Sequence, residues 1–475
     1  MSRKGVRSRL RAAPGRFSAQ ANPDAFSAAR LHAPGDLRLE NRPRPRCGKG
    51  DLLLRVIANA VCGTDVKAFF SGHSLIRRYP IVTGHELVGE VIEVGAEARE
   101  FEAAGEVRQF REGMRVVVAP VVACEKCANC QVGRFEACTN REDVGFRYDG
   151  GNAQLMLVPE ELLRKVVPPV FEAPAGVPAW AAAICEPIAC AIHAQLKLHR
   201  FGVWDRRAQR YGNIQGIRRG DLVVVIGGGP LGDIHCELAR AAGARVVLAQ
   251  RSAQKLQLGR AMQIADDYVL NAEPGALEKF VAEQTGGDGA DIVITACSDP
   301  EAQAQALRIA RKGGCITLFG SLPGAAGKAE PTIALETNRI HNNGPAIYGT
   351  SGASPFHLPI ALQMIADGKI RPENYVTHIF GLERLETILR VRGLRDREMF
   401  EDALRRRRAD EFAFLSDSTH GVNSIADPYE RVNAFKGSIM KALCAPWMPG
   451  KEVISLTAMR PAERRKLLDG FDWLR

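Results

Sequence analysis

The chain has 475 residues, 46% of them hydrophobic and 25% charged, an ordinary globular balance and enough length for two domains with separate cores. No apolar run reads as long enough to span a bilayer, and twelve cysteines, most of them scattered, fit a reducing compartment rather than a disulfide framework. The net charge of +10 is unevenly spread, but neither basic run carries the interleaved aromatics of a nucleic-acid surface. A cytoplasmic protein is expected, with neither nucleic acid nor membrane as partner.

Residues 1–27 form the first segment. Its first twenty positions hold six basic residues and no acidic one, which reads as a disordered tail or a start codon placed too far upstream. An organellar transit peptide shares that composition and is the alternative. Residues 28–200 are β-rich, with short Val, Ile and Leu runs at 51–60, 87–94 and 114–122. The polar stretches 97–112 and 197–211 read as surface insertions. From Asp221 the pattern changes to LVVVIGGG, a run without alternation, as in a strand buried on both faces. Strands and helices then alternate through residues 201–349, which predicts a doubly wound parallel sheet of Rossmann type. Residues 350–396 return to the first domain. Residues 397–475 have no assignment, and their Arg405–Arg408 run, flanked by Glu401, Asp402, Asp410 and Glu411, reads as a solvated helix face. The fold class is therefore α/β, a Rossmann sheet beside a β-rich domain.

Four cysteines, Cys124, Cys127, Cys130 and Cys138, are spaced C-x2-C-x2-C-x7-C in one polar loop. Four thiolates that close together can enclose one Zn2+ tetrahedrally and leave no position open, so the site braces a loop rather than doing chemistry. Free or disulfide-paired cysteines are the alternative. A second set of ligand types is scattered: Cys62-Gly63-Thr64-Asp65, then Gly84-His85-Glu86, then Cys185-Glu186-Pro187. Cys, His and carboxylate are the ligands of a catalytic zinc that keeps one position for water or substrate.

Gly227-Gly228-Gly229-Pro230-Leu231-Gly232 lies between a buried strand and a helix. Gly227 permits the tight turn, Gly229 lets backbone approach a pyrophosphate, and Gly232 lets helix and strand pack closely. The phosphates then face the helix N-terminus. The position that holds an acidic residue in NAD-binding chains is Gln250 here, followed by Arg251. Gln does not repel a 2′-phosphate and Arg pairs with one, so the reading favours NADP(H), with NAD left open.

These motifs together resemble the zinc-containing medium-chain dehydrogenases, and among them the polyol (sorbitol-like) and threonine dehydrogenase branch. The matching stretches include CGTD, TGHELVGEVIEVG, the four-Cys loop, GGNAQLMLVP, EPIACAIHA and VVVIGGGPLG, and the likeness runs from about Ala28 to about Leu389. The resemblance implies a GroES-like catalytic domain, two zinc ions per chain, and a dimer or tetramer. It implies that Cys62 and His85 bind the catalytic zinc, with either Glu86 or Glu186, and that the four clustered cysteines bind the structural one. It further implies that Asp65 orients His85 and that Thr64 passes the alcohol proton outward. Lys67 stands where many relatives have a relay His, and Gly227, Gly229, Pro230, Leu231, Gly232, Gln250 and Arg251 hold the dinucleotide. The expected activity is hydride transfer between a secondary alcohol or polyol and NAD(P). A threonine-type amino-alcohol dehydrogenase is the alternative enzyme, and a silent NADP(H)-binding relative the alternative outside catalysis. The family's closing Val/Ile-rich strand is not seen after Leu389, where the chain continues VRGLRDREMFEDALRRRRADEF.

Overall fold

Leu52–Ala60 is buried at eight of its nine positions, so it must lie inside a sheet covered on both sides. The computed structural model puts it there. It describes residues 24–394 apart from 104 and 323–330, residues 424–474 apart from 449, 451, 472 and 473, and also Met399, Glu401 and Leu415. Most of the basic N-terminal segment, to residue 23, and the Arg405–Arg408 run lie outside the described residues.

The β-rich half is an eight-stranded sheet in the order Val170–Glu172, Arg115–Val118, Glu86–Val94, Leu52–Ala60, Lys441–Cys444, Val376–Phe380, Val453–Ser455, with Leu155–Val158 also on the Leu52–Ala60 strand. One edge of Leu52–Ala60 pairs with Glu86–Val94. The other is shared by Leu155–Val158 at its start and Lys441–Cys444 at its end. The closing strand that is not legible after Leu389 therefore comes from the tail, about fifty residues further on. Leu443 faces Ala60 antiparallel, and Lys441 faces Val376 in a parallel pairing.

The cofactor half is a six-stranded parallel sheet, ordered Asp267–Leu270, Arg245–Gln250, Leu222–Ile226, Ala290–Thr295, Ala310–Leu318, Ala346–Gly349. Leu222–Ile226 is buried throughout, as its unbroken apolar run requires. The two polar insertions are antiparallel hairpins, Glu100–Ala103 with Glu106–Gln109 and His199–Asp205 with Arg210–Gln215. Helix Cys185–Leu196 packs on helix Pro230–Ala241 and so joins the two halves. The stretch Ala179–Leu196 is long and apolar enough to cross a membrane, contrary to the sequence reading, but it is 94% buried inside the protein. Its hydrophobicity serves the core.

Candidate active site

The site begins at a turn that two asparagines hold. Asn59 Nδ2 donates to Asn152 Oδ1 at 2.9 Å, Asn152 Nδ2 donates to Thr83 Oγ1 at 3.0 Å, and Glu86 N donates to Asn59 Oδ1 at 3.2 Å. All four residues are buried, and satisfied buried networks of this kind fix a single geometry. Gly84 sits inside the turn at φ +96, where a Cβ would fall 2.6 Å from Asn59 Nδ2, so only glycine fits. The turn delivers His85 to the start of the strand Glu86–Val94.

Cys62 caps the helix Gly63–Ser71. Asp65, in the first turn, accepts from Cys62 N through Oδ2 at 2.9 Å and from Gly84 N through Oδ1 at 3.2 Å. One carboxylate thus ties together the two backbone segments that carry Cys62 and His85. It lies 3.6 Å from His85 Nδ1, outside ordinary hydrogen-bond length, and Nδ1 has no hydrogen-bond partner among the described residues. Asp65 therefore orients the pair mainly through backbone. Cys62 Sγ lies 3.5 Å from Thr64 Oγ1. Lys67, one turn further along the same helix, is exposed.

The donor atoms of Cys62, His85 and Glu86 lie within 4.8 Å of one another. Burial opposes a charge on His85, yet Asp65 and then Cys62 and Glu186 outweigh it and hold the imidazole well above its ordinary range. A buried, electronegative set that draws a proton onto its histidine is a set suited to a cation. The two carboxylates differ. Both oxygens of Glu86 accept from Lys441 Nζ, and the pair is buried. Glu186, in the first turn of helix Cys185–Leu196, is buried, and among the described residues only the Cys190 thiol donates to it, at 3.3 Å. Burial pushes its carboxyl up to about 7 against the pull of His85. Lys441 also points its Nζ toward Val61 O at 3.4 Å, and Arg392 Nη1 donates to the same carbonyl at 3.0 Å. Neither cation is legible as a site residue in the sequence, because nothing local marks it.

The four clustered cysteines converge as their spacing predicts. Their sulfurs lie within 4.8 Å of one another, with Cys127–Cys130 at 3.6 Å and Cys127–Cys138 at 4.0 Å. These separations match the ~3.8 Å between sulfurs of a tetrahedral ZnS4 unit with ~2.3 Å bonds and are far from a disulfide; all four are free thiols. Backbone N–H groups of Cys130 and Thr139 pull the Cys127 thiol down to about 5, which favours the thiolate a metal needs. The lobe is anchored by His193 Nε2 at 3.4 Å from Glu136 Oε1 and by Phe135 against Phe356, centroids 5.7 Å apart.

The glycine turn lies where the strand Leu222–Ile226 gives way to helix Pro230–Ala241. Gly227 has φ +112, Gly229 caps the helix, and Pro230 opens it. Gly232 sits against the turn so closely that a Cβ would fall 1.8 Å from Gly227 O. The turn opens on a cavity of about 420 Å³ lined by Gly227, Gln250, Arg251, Asn271 and Asp299 among others. Gln250 Oε1 accepts from Ser252 N at 3.1 Å, and Arg251 Nη1 lies 2.9 Å from Asp299 Oδ2. Leu231 packs on the core that includes Ile184, Cys185 and Ile188, so the dinucleotide turn and the helix of Glu186 share one wall.

Comparison with known proteins agrees with this arrangement. Residues 48–168 match the alcohol dehydrogenase GroES-like domain and residues 230–367 the zinc-binding dehydrogenase domain. A sorbitol dehydrogenase of Halalkalibacterium halodurans is 28% identical over 348 residues, 73% of this chain and 90% of that protein. An L-threonine 3-dehydrogenase of Bacillus licheniformis is 28% identical, over 76% of this chain and 94% of that one. A protein of Sinorhizobium meliloti 1021, described as a zinc-binding dehydrogenase and solved bound to NADP, superposes with a TM-score of 0.65 at 25% identity, covering 89% of this chain and 99% of that one. With a Rossmann sheet joined to a GroES-like domain, the chain is an oxidoreductase of the CH–OH class. It belongs to the zinc-type medium-chain alcohol dehydrogenase family, whose cofactors are zinc and NAD(P).

Proposed function

We propose that the chain oxidises a secondary alcohol or polyol and reduces the matching ketone in reverse, with NADP(H) preferred over NAD(H). The observation that carries the reading is the convergence of Cys62, His85 and Glu86 beside Thr64, with Glu186 close enough to act on the charge of His85, on the same wall as the glycine turn. In this reading Cys62, His85 and Glu186 hold the catalytic zinc, because Glu86 already has its cation in Lys441 while Glu186, beside His85, has no Lys or Arg ion pair among the described residues; a buried carboxylate without one is costly. Cys124, Cys127, Cys130 and Cys138 hold the structural zinc. When bound, zinc supplies Lewis-acid polarisation of the substrate oxygen, and the nicotinamide supplies the hydride acceptor. Thr64 Oγ1 takes the hydroxyl proton and passes it outward, toward the exposed Lys67 end of the helix. Asp65 keeps Cys62 and His85 in register throughout. The chain belongs in a homo-oligomer, supported by the exposed edge strand Ala346–Gly349.

The cofactor preference rests on Gln250 and Arg251. No carboxylate closes the strand Arg245–Gln250 against a 2′-phosphate. The Arg251–Asp299 pair is largely exposed on the Arg251 side and is worth about 0–1 kcal/mol, so a phosphate can take over the guanidinium at little cost.

The test is nicotinamide absorbance with zinc-replete protein, NADP+ or NAD+, and a panel of polyols, secondary alcohols and threonine. The expected result is reduction with polyols or secondary alcohols, faster at limiting NADP+ than NAD+. Reduction with threonine alone, or with none of the panel, overturns the reading. Metal analysis should give two zinc ions per chain, falling to one in Glu186→Gln and staying at two in Glu86→Gln; the reverse pattern moves the ligand to Glu86.

A further inference from the structure

His73, outside every motif of the sequence, lies just past the helix Gly63–Ser71 that carries Thr64 and Lys67. Its ring packs on Phe146 with centroids 4.7 Å apart, and Phe146 packs on His85 at 5.3 Å. The three rings form one wall that runs away from the proposed zinc ligands, with His73 at its far end. Two such ring steps place the two imidazoles roughly 10 Å apart at most. Phe146 is buried, whereas His73 is half-buried. Leu75 N donates to His73 Nδ1 at 3.3 Å, which makes Nδ1 the acceptor and puts the proton on Nε2. Nε2 has no hydrogen-bond partner among the described residues, and it is not among the sealed polar atoms of the interior. It is a donor without a protein partner among the described residues, at the end of a wall that starts at the proposed zinc ligands.

We propose that His73 Nε2–H donates a hydrogen bond to a hydroxyl of the substrate several carbons from the one that reacts, and so selects open-chain polyols of five or six carbons over short secondary alcohols. This rests on the polyol reading above. A zigzag carbon chain advances about 1.3 Å per carbon, so each added carbon brings a terminal hydroxyl closer to His73, and a C5 or C6 polyol spans more of the wall than a C4 alcohol does. The imidazole stays neutral while doing so. Burial, then Lys67, Arg141 and His85, push it down to about 4, with Asp65 pulling the other way. Its tautomer is therefore fixed across the working pH range, and the positive surroundings favour an oxygen as the ligand atom.

His73→Phe keeps the stacking on Phe146 and removes the donor; His73→Gln keeps a donor. The readout is the ratio of kcat/KM for a hexitol or pentitol to that for butan-2-ol. His73→Phe should lower this ratio about tenfold, the loss of one hydrogen bond, through KM rather than kcat, and His73→Gln should recover part of it. An unchanged ratio, or a fall carried by kcat, overturns the assignment while leaving the polyol reading intact. A wild-type protein that turns over butan-2-ol but no C5 or C6 polyol removes the polyol reading and this assignment with it.

Discussion

Glu86 and Lys441 are 355 residues apart and meet in the interior. A carboxylate 1% exposed has little water to solvate it, and breaking such a pair by removing one member costs about 3–5 kcal/mol. Lys441→Met should therefore lower the urea midpoint sharply, and Glu86→Gln with Lys441→Met should restore much of it. A double variant no more stable than Lys441→Met alone contradicts the pairing. The candidate ligands were legible as candidates, since Cys62, His85, Glu86 and Glu186 advertise their chemistry by type and by short motifs. Lys441, Arg392, Asn59 and Asn152 were not. Each acts through a partner distant in sequence, and an isolated Lys, Arg or Asn is most often solvated.

Secondary structure is where period and punctuation carried most of the information. The alternating strands expected through residues 201–349 are found as the six-stranded sheet, because buried parallel strands are unbroken apolar runs. The sixth, Ala346–Gly349, alternates partly buried and exposed positions over only four residues, too short for a period to emerge. The polar stretches at 97–112 and 197–211 hold hairpins that the sequence reading did not shape, since they carry little apolar patterning of their own. The turn between strand and helix makes the sharpest prediction at this scale. In Gly232→Ala the new methyl meets Gly227 O at 1.8 Å, and the turn must open to admit it. Fluorescence titration with NADPH should show binding weakened at least tenfold while zinc content holds at two. Binding equal to wild type would mean that the turn opens without cost.

At the scale of the molecule, the tail is structural. Val432, Phe435, Ile439, Ala442 and Cys444 share a core with Val61, Phe69 and Phe146, and Gly437 lies so close to Gln254 of the cofactor half that a Cβ would fall 2.7 Å from Gln254 Oε1. A chain cut after residue 424 loses the strand Lys441–Cys444, splits Val376–Phe380 from Leu52–Ala60, and leaves both with unpaired edges. It should be recovered as aggregate, or as a species with the near-ultraviolet circular dichroism of an unpacked interior; a folded, zinc-loaded truncation would refute the role given to the tail. The sequence concealed this role because the strand is four residues long and separated from its sheet by charged chain with no strand-like period.

The position of that strand also fixes an order of events during synthesis. The cofactor half is complete once residue 349 has emerged, and it has parallel neighbours for every strand. The sheet that carries Cys62 and His85 waits for Lys441 to leave the ribosome, so the first half of the protein to be translated is the last to close. Until then Glu86 has no counter-ion and Leu52–Ala60 lacks part of one edge. That nascent interval, rather than the finished enzyme, is where a chaperone would find its binding surface.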